Sequence, residues 1–222
     1  MTDLQKDLVE RNNGLYYKKF SVFPFSFSKI PFSGEVTGLH KGSIKNGKKE
    51  GEWIYYDDNG QLRYKGNWKN NLEHGACETY NENGQLYSKG NYKNGNEDGE
   101  YFGYHDNGQL FAKWNYKNGK EDGEYVRYYN NGQLFQKCNY KNGKLDGAYV
   151  SYHNNGQLDF KENNKNDKRE GAYVSYHDNG QLNSKGNYKN DKKEGEWVRY
   201  SEEGIMYPLL SGIFKSGVKI SD

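Results

Sequence analysis

Cysteine is almost missing from this chain, and proline, methionine and long apolar runs are scarce with it. Two cysteines in 222 residues, Cys77 and Cys138, stand 61 residues apart and exclude a disulfide framework; they read as two unpaired thiols in packed positions. Hydrophobic residues make up only 32% of the chain, and 22 tyrosines supply much of that, which excludes a large aliphatic core. No segment approaches the roughly 18 apolar residues of a membrane helix. Residues 1–7 lack the apolar region of a secretory signal, which places the chain as given in the cytoplasm. A mature exported form carrying a start Met would read the same way, so a periplasmic or extracellular location stays open. An excess of one charge is lacking too: 32 basic against 30 acidic residues leave +2. With no basic stripe, this points away from nucleic acid and gives an anionic membrane little to hold.

Catalytic signatures are also missing. There is no Gly-x-Ser-x-Gly elbow, no phosphate loop, no His-Glu-x-x-His, and no cysteine beside a plausible histidine and carboxylate. Acidic pairs such as Glu97-Asp98 and Glu121-Asp122, and Glu194 with Glu196, recur at a fixed interval, whereas a catalytic dyad is needed once, in a pocket. His105, His153 and His177 share a repeat column with Asp57, Asn81, Tyr129 and Ser201, which is no metal-ligand pattern. The reading is a protein without enzyme activity, cofactor or metal.

What the chain does hold is a clock. Asn-Gly-Gln-Leu begins at Asn59, Asn83, Asn107, Asn131, Asn155 and Asn179, every 24 residues. Gly51, Gly75, Gly99, Gly123, Gly147, Gly171 and Gly195 keep the same interval, as do the tyrosines from Tyr56 to Tyr200. Such a period marks one supersecondary unit stacked on itself, with a binding surface along the stack.

Two Asn-Gly turns per unit, for example Asn94-Gly95 and Asn107-Gly108, predict hairpins, and therefore two strands per unit with antiparallel neighbours. The expected strands run near Glu52 to Tyr56 and Gln61 to Lys69. On the latter, alternation puts Leu62, Tyr64, Gly66 and Trp68 on one face and Arg63, Lys65, Asn67 and Lys69 on the other. Trp53 and Tyr56 have opposite parity, so their strand either bulges or covers both faces. The fold class is all-β: an elongated, twisted antiparallel β-hairpin ribbon or solenoid. Residues 1–34 read as an N-terminal cap, with Leu4, Leu8, Val9 and the aromatic run Phe20–Phe27. Residues 35–206 form the repeat array. Residues 207–222 hold a degenerate last unit, where Ser211–Gly217 copies the repeat with a two-residue shift.

Recognition is sought in columns that vary against a constant frame. The position after Leu62 runs Arg63, Tyr87, Phe111, Phe135, Asp159, Asn183, and its three successive aromatics sit on the expected polar face, an anchor for a protein partner. The alternative is that the rings pack against cross-strand neighbours. With the variable column that contains Arg127, the candidate interface is Tyr87, His105, Phe111, Arg127, Tyr129 and Phe135. One unit departs from pattern at Glu162 and Asn164 and is expected to loosen or bend the ribbon.

Gly90-Asn91-Tyr92-Lys93-Asn94-Gly95, followed by Gly99-Glu100-Tyr101, resembles the MORN repeat, and the 24-residue spacing resembles its bacterial variant. Leu8–Phe20 with Phe32–Gly38 is similar to the leader of repeat proteins named as YwqK-family antitoxins. The resemblance implies a hairpin ribbon, no family catalytic residues, and a role as a monomeric antitoxin or immunity protein that binds a cognate toxin. The rival implication is a scaffold on membranes or in an envelope assembly.

Overall fold

The computed structural model describes residues 2–3, 7–11, 13–19 and 30–221. Leu4 and the aromatic run Phe20–Phe27 lie outside the described residues. The fold is almost entirely β, mostly antiparallel, with two strands per repeat. It divides into two units, residues 1–108 and 109–222.

In the first unit the strands Gly34–Thr37, His40–Lys45, Lys48–Tyr56, Leu62–Lys69, Leu72–Tyr80 and Leu86–Lys93 pair antiparallel in succession. Thr2–Asp3 pairs parallel with Val36–Thr37. Leu8, Val36, Ile44 and Trp53 make a small buried cluster, with Tyr16, Phe32, Tyr55 and Trp68 against it. The Lys49 ammonium enters this cluster, 4.6 Å from the Trp68 ring and 4.9 Å from the Trp53 ring, and bonds the Tyr55 hydroxyl at 2.9 Å. Burial pushes its pKa down, with Glu10 and Glu73 opposing.

In the second unit Leu110–Lys117, Gly123–Tyr128, Leu134–Lys141, Lys144–Tyr152, Leu158–Lys165, Gly171–Tyr176, Leu182–Lys189 and Lys192–Arg199 continue the same pairing. A short 3-10 turn, Pro208–Leu210, precedes a last hairpin of Gly212–Lys215 and Val218–Ser221. Phe214 stands opposite Gly195, where Trp68 stands opposite Gly51.

The two turn families solve different problems. At Asn46-Gly47, Asn94-Gly95, Asn118-Gly119 and Asn142-Gly143 both residues have positive φ, the two-residue turn whose twist matches the strands. At the Asn-Gly-Gln-Leu turns only glycine does, for example Gly132 at φ 82. There asparagine acts through its side chain: Asn131 Oδ1 accepts the Gln133 N–H at 3.0 Å, and Asn155 and Asn179 repeat this.

The same turns depart from the expected alternation. Tyr55 faces Tyr64, but Tyr56 faces Leu62, so Arg63 is an extra residue in a bulge, and the shift recurs at Arg127/Tyr128, Ser151/Tyr152 and Ser175/Tyr176. Leu62 therefore leaves the face of Tyr64, Gly66 and Trp68 and joins Tyr56 on the other. This resolves the parity of Trp53 and Tyr56, which cover opposite faces.

One face is laid with rings. Trp53 sits opposite Gly42 and Gly66, and Tyr173 and Trp197 flank Gly186. A Cβ on Gly186 would stand 2.2 Å from the Trp197 ring, so glycine is what lets the indole lie flat on the backbone. The expected loosening around Glu162 and Asn164 is not found: the strand Leu158–Lys165 is paired on both sides. Phe160 fills the space, 5.0 Å from Tyr149 and 6.3 Å from Tyr173, and the buried Asn164 amide donates to Glu162 at 3.1 Å.

Gly186→Ala is expected to cost about 1–3 kcal/mol through displacement of Trp197, read as a lower urea midpoint with unchanged slope; an unchanged midpoint would contradict the close packing. Burial pushes the Cys138 thiol up to about 11 and raises that of Cys77. Because the thiolate is the reactive form, the folded protein should resist a disulfide reagent at pH 8, and urea should release two thiols.

Candidate partner-binding face

The bulge decides where the candidate interface sits. The column after Leu62 does not join Lys65 and Asn67 on the polar face as expected, because the extra residue turns it onto the face of the Tyr55 column. Phe111 and Phe135 accordingly enclose the Arg127 guanidinium, at 4.7 Å and 5.2 Å from their ring centroids. Arg127 Nε is buried and has no hydrogen-bond partner. Tyr129 packs on Phe135 at 4.9 Å and donates its hydroxyl to the Tyr152 carbonyl at 2.7 Å. Four of the six candidate residues therefore form one cluster within residues 109–222. The other two belong to the first unit. There Tyr87 is 59% exposed, and the His105 carbonyl closes a turn by accepting the Gly108 N–H at 2.8 Å.

This arrangement combines planar cation, aromatic walls and a hydrogen-bonding edge. A guanidinium between rings has lost rotamer freedom, so its outer N–H groups can donate to a carboxylate or carbonyl at little ordering cost. In the next unit the same positions are Ser151 and Asp159, joined at 3.2 Å. The aromatic enclosure is thus a local feature and not a property of every repeat.

The repeated polar columns have structural work. His153 and His177 meet the backbone carbonyls of Tyr176 and Tyr200, each at 3.0 Å, as Tyr129 meets that of Tyr152. On the opposite margin the carboxylates of Asp122, Glu170 and Glu194 accept backbone N–H groups of Asn142, Asn190 and Ser216 at 2.8–3.1 Å. Asp167 and Asp191 bond the N–H groups of Leu145 and Arg169. The Asp191 carboxyl is held below its ordinary range, first by that backbone bond and then by the Arg169 side chain. These margin bonds were not readable from the sequence pattern of acidic pairs, although their recurrence pointed to structure. Among the described residues no group of histidine, cysteine, aspartate and glutamate is placed to hold a metal ion.

The family described as MORN repeat variant matches residues 49–70, 73–94, 97–118, 121–142, 145–166 and 169–190, more than half of the chain. The chain belongs to the MORN repeat variant family. Each matched stretch runs from one inner turn to the next with Asn-Gly-Gln-Leu near its middle, so the family unit coincides with the two strands joined by that turn. Among curated proteins none matches this chain. Among solved structures, a chain in the crystal structure of a GtfA/B complex bound to UDP and GlcNAc is similar at 15% identity over 55% of the present chain, with a TM-score of 0.23. The MORN repeat variant chain spans 23% of that chain's length, and the likeness carries no argument. No helix among the described residues is long and apolar enough to cross a membrane.

Tyr129→Phe removes the bond to Tyr152 while keeping the ring on Phe135. The expected cost is about 1 kcal/mol of unfolding free energy, measured by denaturant titration; the double substitution with Phe135→Leu should show coupling, and strict additivity would contradict the contact.

Proposed function

We propose that this MORN repeat variant is a non-catalytic scaffold that binds a protein partner through the Arg127 cluster, and that the partner is a toxin which it neutralises by direct binding. The observation that carries the reading is the guanidinium held between the rings of Phe111 and Phe135. Arginine and aromatic residues packed together are the usual composition of an energetic anchor in a protein interface. Repeat proteins of this kind offer a preformed surface, so a partner is covered without paying for the ordering of a loop. Residues Leu8–Phe20 and Phe32–Gly38, similar to the leader of YwqK-family antitoxins, support the narrower reading of toxin neutralisation.

The test is co-expression with the product of the adjacent gene. Wild type should restore growth and co-purify with that product, and Phe111→Ala with Phe135→Ala should weaken binding by about 2 kcal/mol or more, roughly 30-fold. If no neighbouring product is neutralised, the toxin assignment falls. If binding survives the double substitution unchanged, the Arg127 cluster is not the interface.

A further inference from the structure

The face opposite the rings carries a row of lysines whose partners are written in the sequence. Register aligns Val150, Lys161, Val174, Lys185 and Val198 directly across successive strands of the second unit. In other repeats the lysine of this column meets a glutamate two residues along the neighbouring strand: Lys65 pairs with Glu52 at 3.0 Å, and Lys137 pairs with Glu124. Lys89 has Ala76 at that position, but it stands directly opposite Glu78 and over the Phe102 ring at 5.3 Å. The equivalent positions for Lys161 and Lys185 are Ala148 and Ala172. Neither lysine has an ion-pair partner among the described residues, and both are exposed.

Between and beside these two lysines lies a trough of about 610 Å³, whose walls include Asn163, Ala172, Val174, Asn187 and Val198. The missing carboxylates open its floor. Two strand spacings put the lysine backbones about 9–10 Å apart. Apolar floor, amide walls and two unpaired cations form a surface complementary to carboxylates carried on an extended apolar chain. Glu196 lines the same trough and disfavours a continuous polyanion such as nucleic acid.

We infer that this trough receives an acidic extended segment of a protein partner, whose carboxylates take the places that Glu52 and Glu124 fill beside Lys65 and Lys137. The site lies on the opposite face from Arg127 and does not depend on it.

The probe is an eight-residue peptide of alternating Glu and Val. Its carboxylates share one face at about 6.8 Å spacing, within reach of both lysine side chains. It is titrated into the intact protein at low salt, with the lysine side chains followed by NMR. Shifts confined to Lys161, Lys185 and their neighbours are expected. Lys161→Gln with Lys185→Gln should weaken binding at least tenfold. Ala148→Glu with Ala172→Glu should do the same while keeping both lysines, because it supplies the internal ion pairs that Lys65 and Lys137 have and suits a strand position where glutamate already occurs. Phe111→Ala with Phe135→Ala should leave peptide binding unchanged, which separates this site from the proposed toxin interface. The inference is overturned if the peptide does not bind wild type, or if the alanine-to-glutamate variant binds it equally well. It is likewise overturned if inorganic phosphate at equal concentration moves the same two lysines as strongly as the peptide does.

Discussion

A sheet one layer thick must bury its apolar surface against its own backbone, and the flat packing of rings over small residues is how this chain does so. Trp53 between Gly42 and Gly66, and Trp197 over Gly186, show the rule at its plainest. Where Trp114 takes the place of the small residue, Tyr125 packs beside its ring at 6.3 Å and keeps a contact to Tyr140 at 6.0 Å. Cations finish the layer from the margin: Arg169 lies 3.9 Å from the Tyr188 ring centroid, and Lys193 lies 4.5 Å from that of Trp197. Burial of aromatic area thus replaces the aliphatic core that the composition excludes.

Much of this was legible in the sequence because turn chemistry is local. The Asn-Gly pairs and the 24-residue interval announced hairpins with two strands each. The face of Phe111 and Phe135 was not legible, because strict alternation carries them to the lysine side. A bulge adds one residue without altering composition, so only the register of the paired strand reveals it. The role of Phe160 was hidden for a similar reason: in a column otherwise occupied by Tyr64, Ser88, Ala112, Gln136 and Ser184, its ring compensates a loss four residues away at Asn164. The missing acids at Ala76, Ala148 and Ala172 were visible in principle, as gaps in a column of glutamates, but their meaning required knowing that this column faces the lysines and that, of the three lysines concerned, only Lys89 has Glu78 opposite it instead.

The two faces therefore divide labour. The ring face holds the sheet together and, at the bulge, lets one position per unit vary above it. The lysine face is solvated and is neutralised by glutamates at Lys65 and Lys137 and across the strand at Lys89, whereas Lys161 and Lys185 stand between valines. Because the bulged residue lies beside the turn, its side chain can change from Phe135 to Asp159 with the strands still in register. Framework and variable positions coexist within one short unit.

The margin bonds have a consequence for how the protein comes into being. Each joins residues only 20 to 23 positions apart, as from Asp122 to Asn142 and from His153 to Tyr176. A hairpin leaving the ribosome thus finds its bonding partners, donors on some margins and acceptors on others, on the unit synthesised just before it, and none of these bonds waits for the far end of the chain. Assembly can keep pace with translation, each new unit closing the exposed edge of the last.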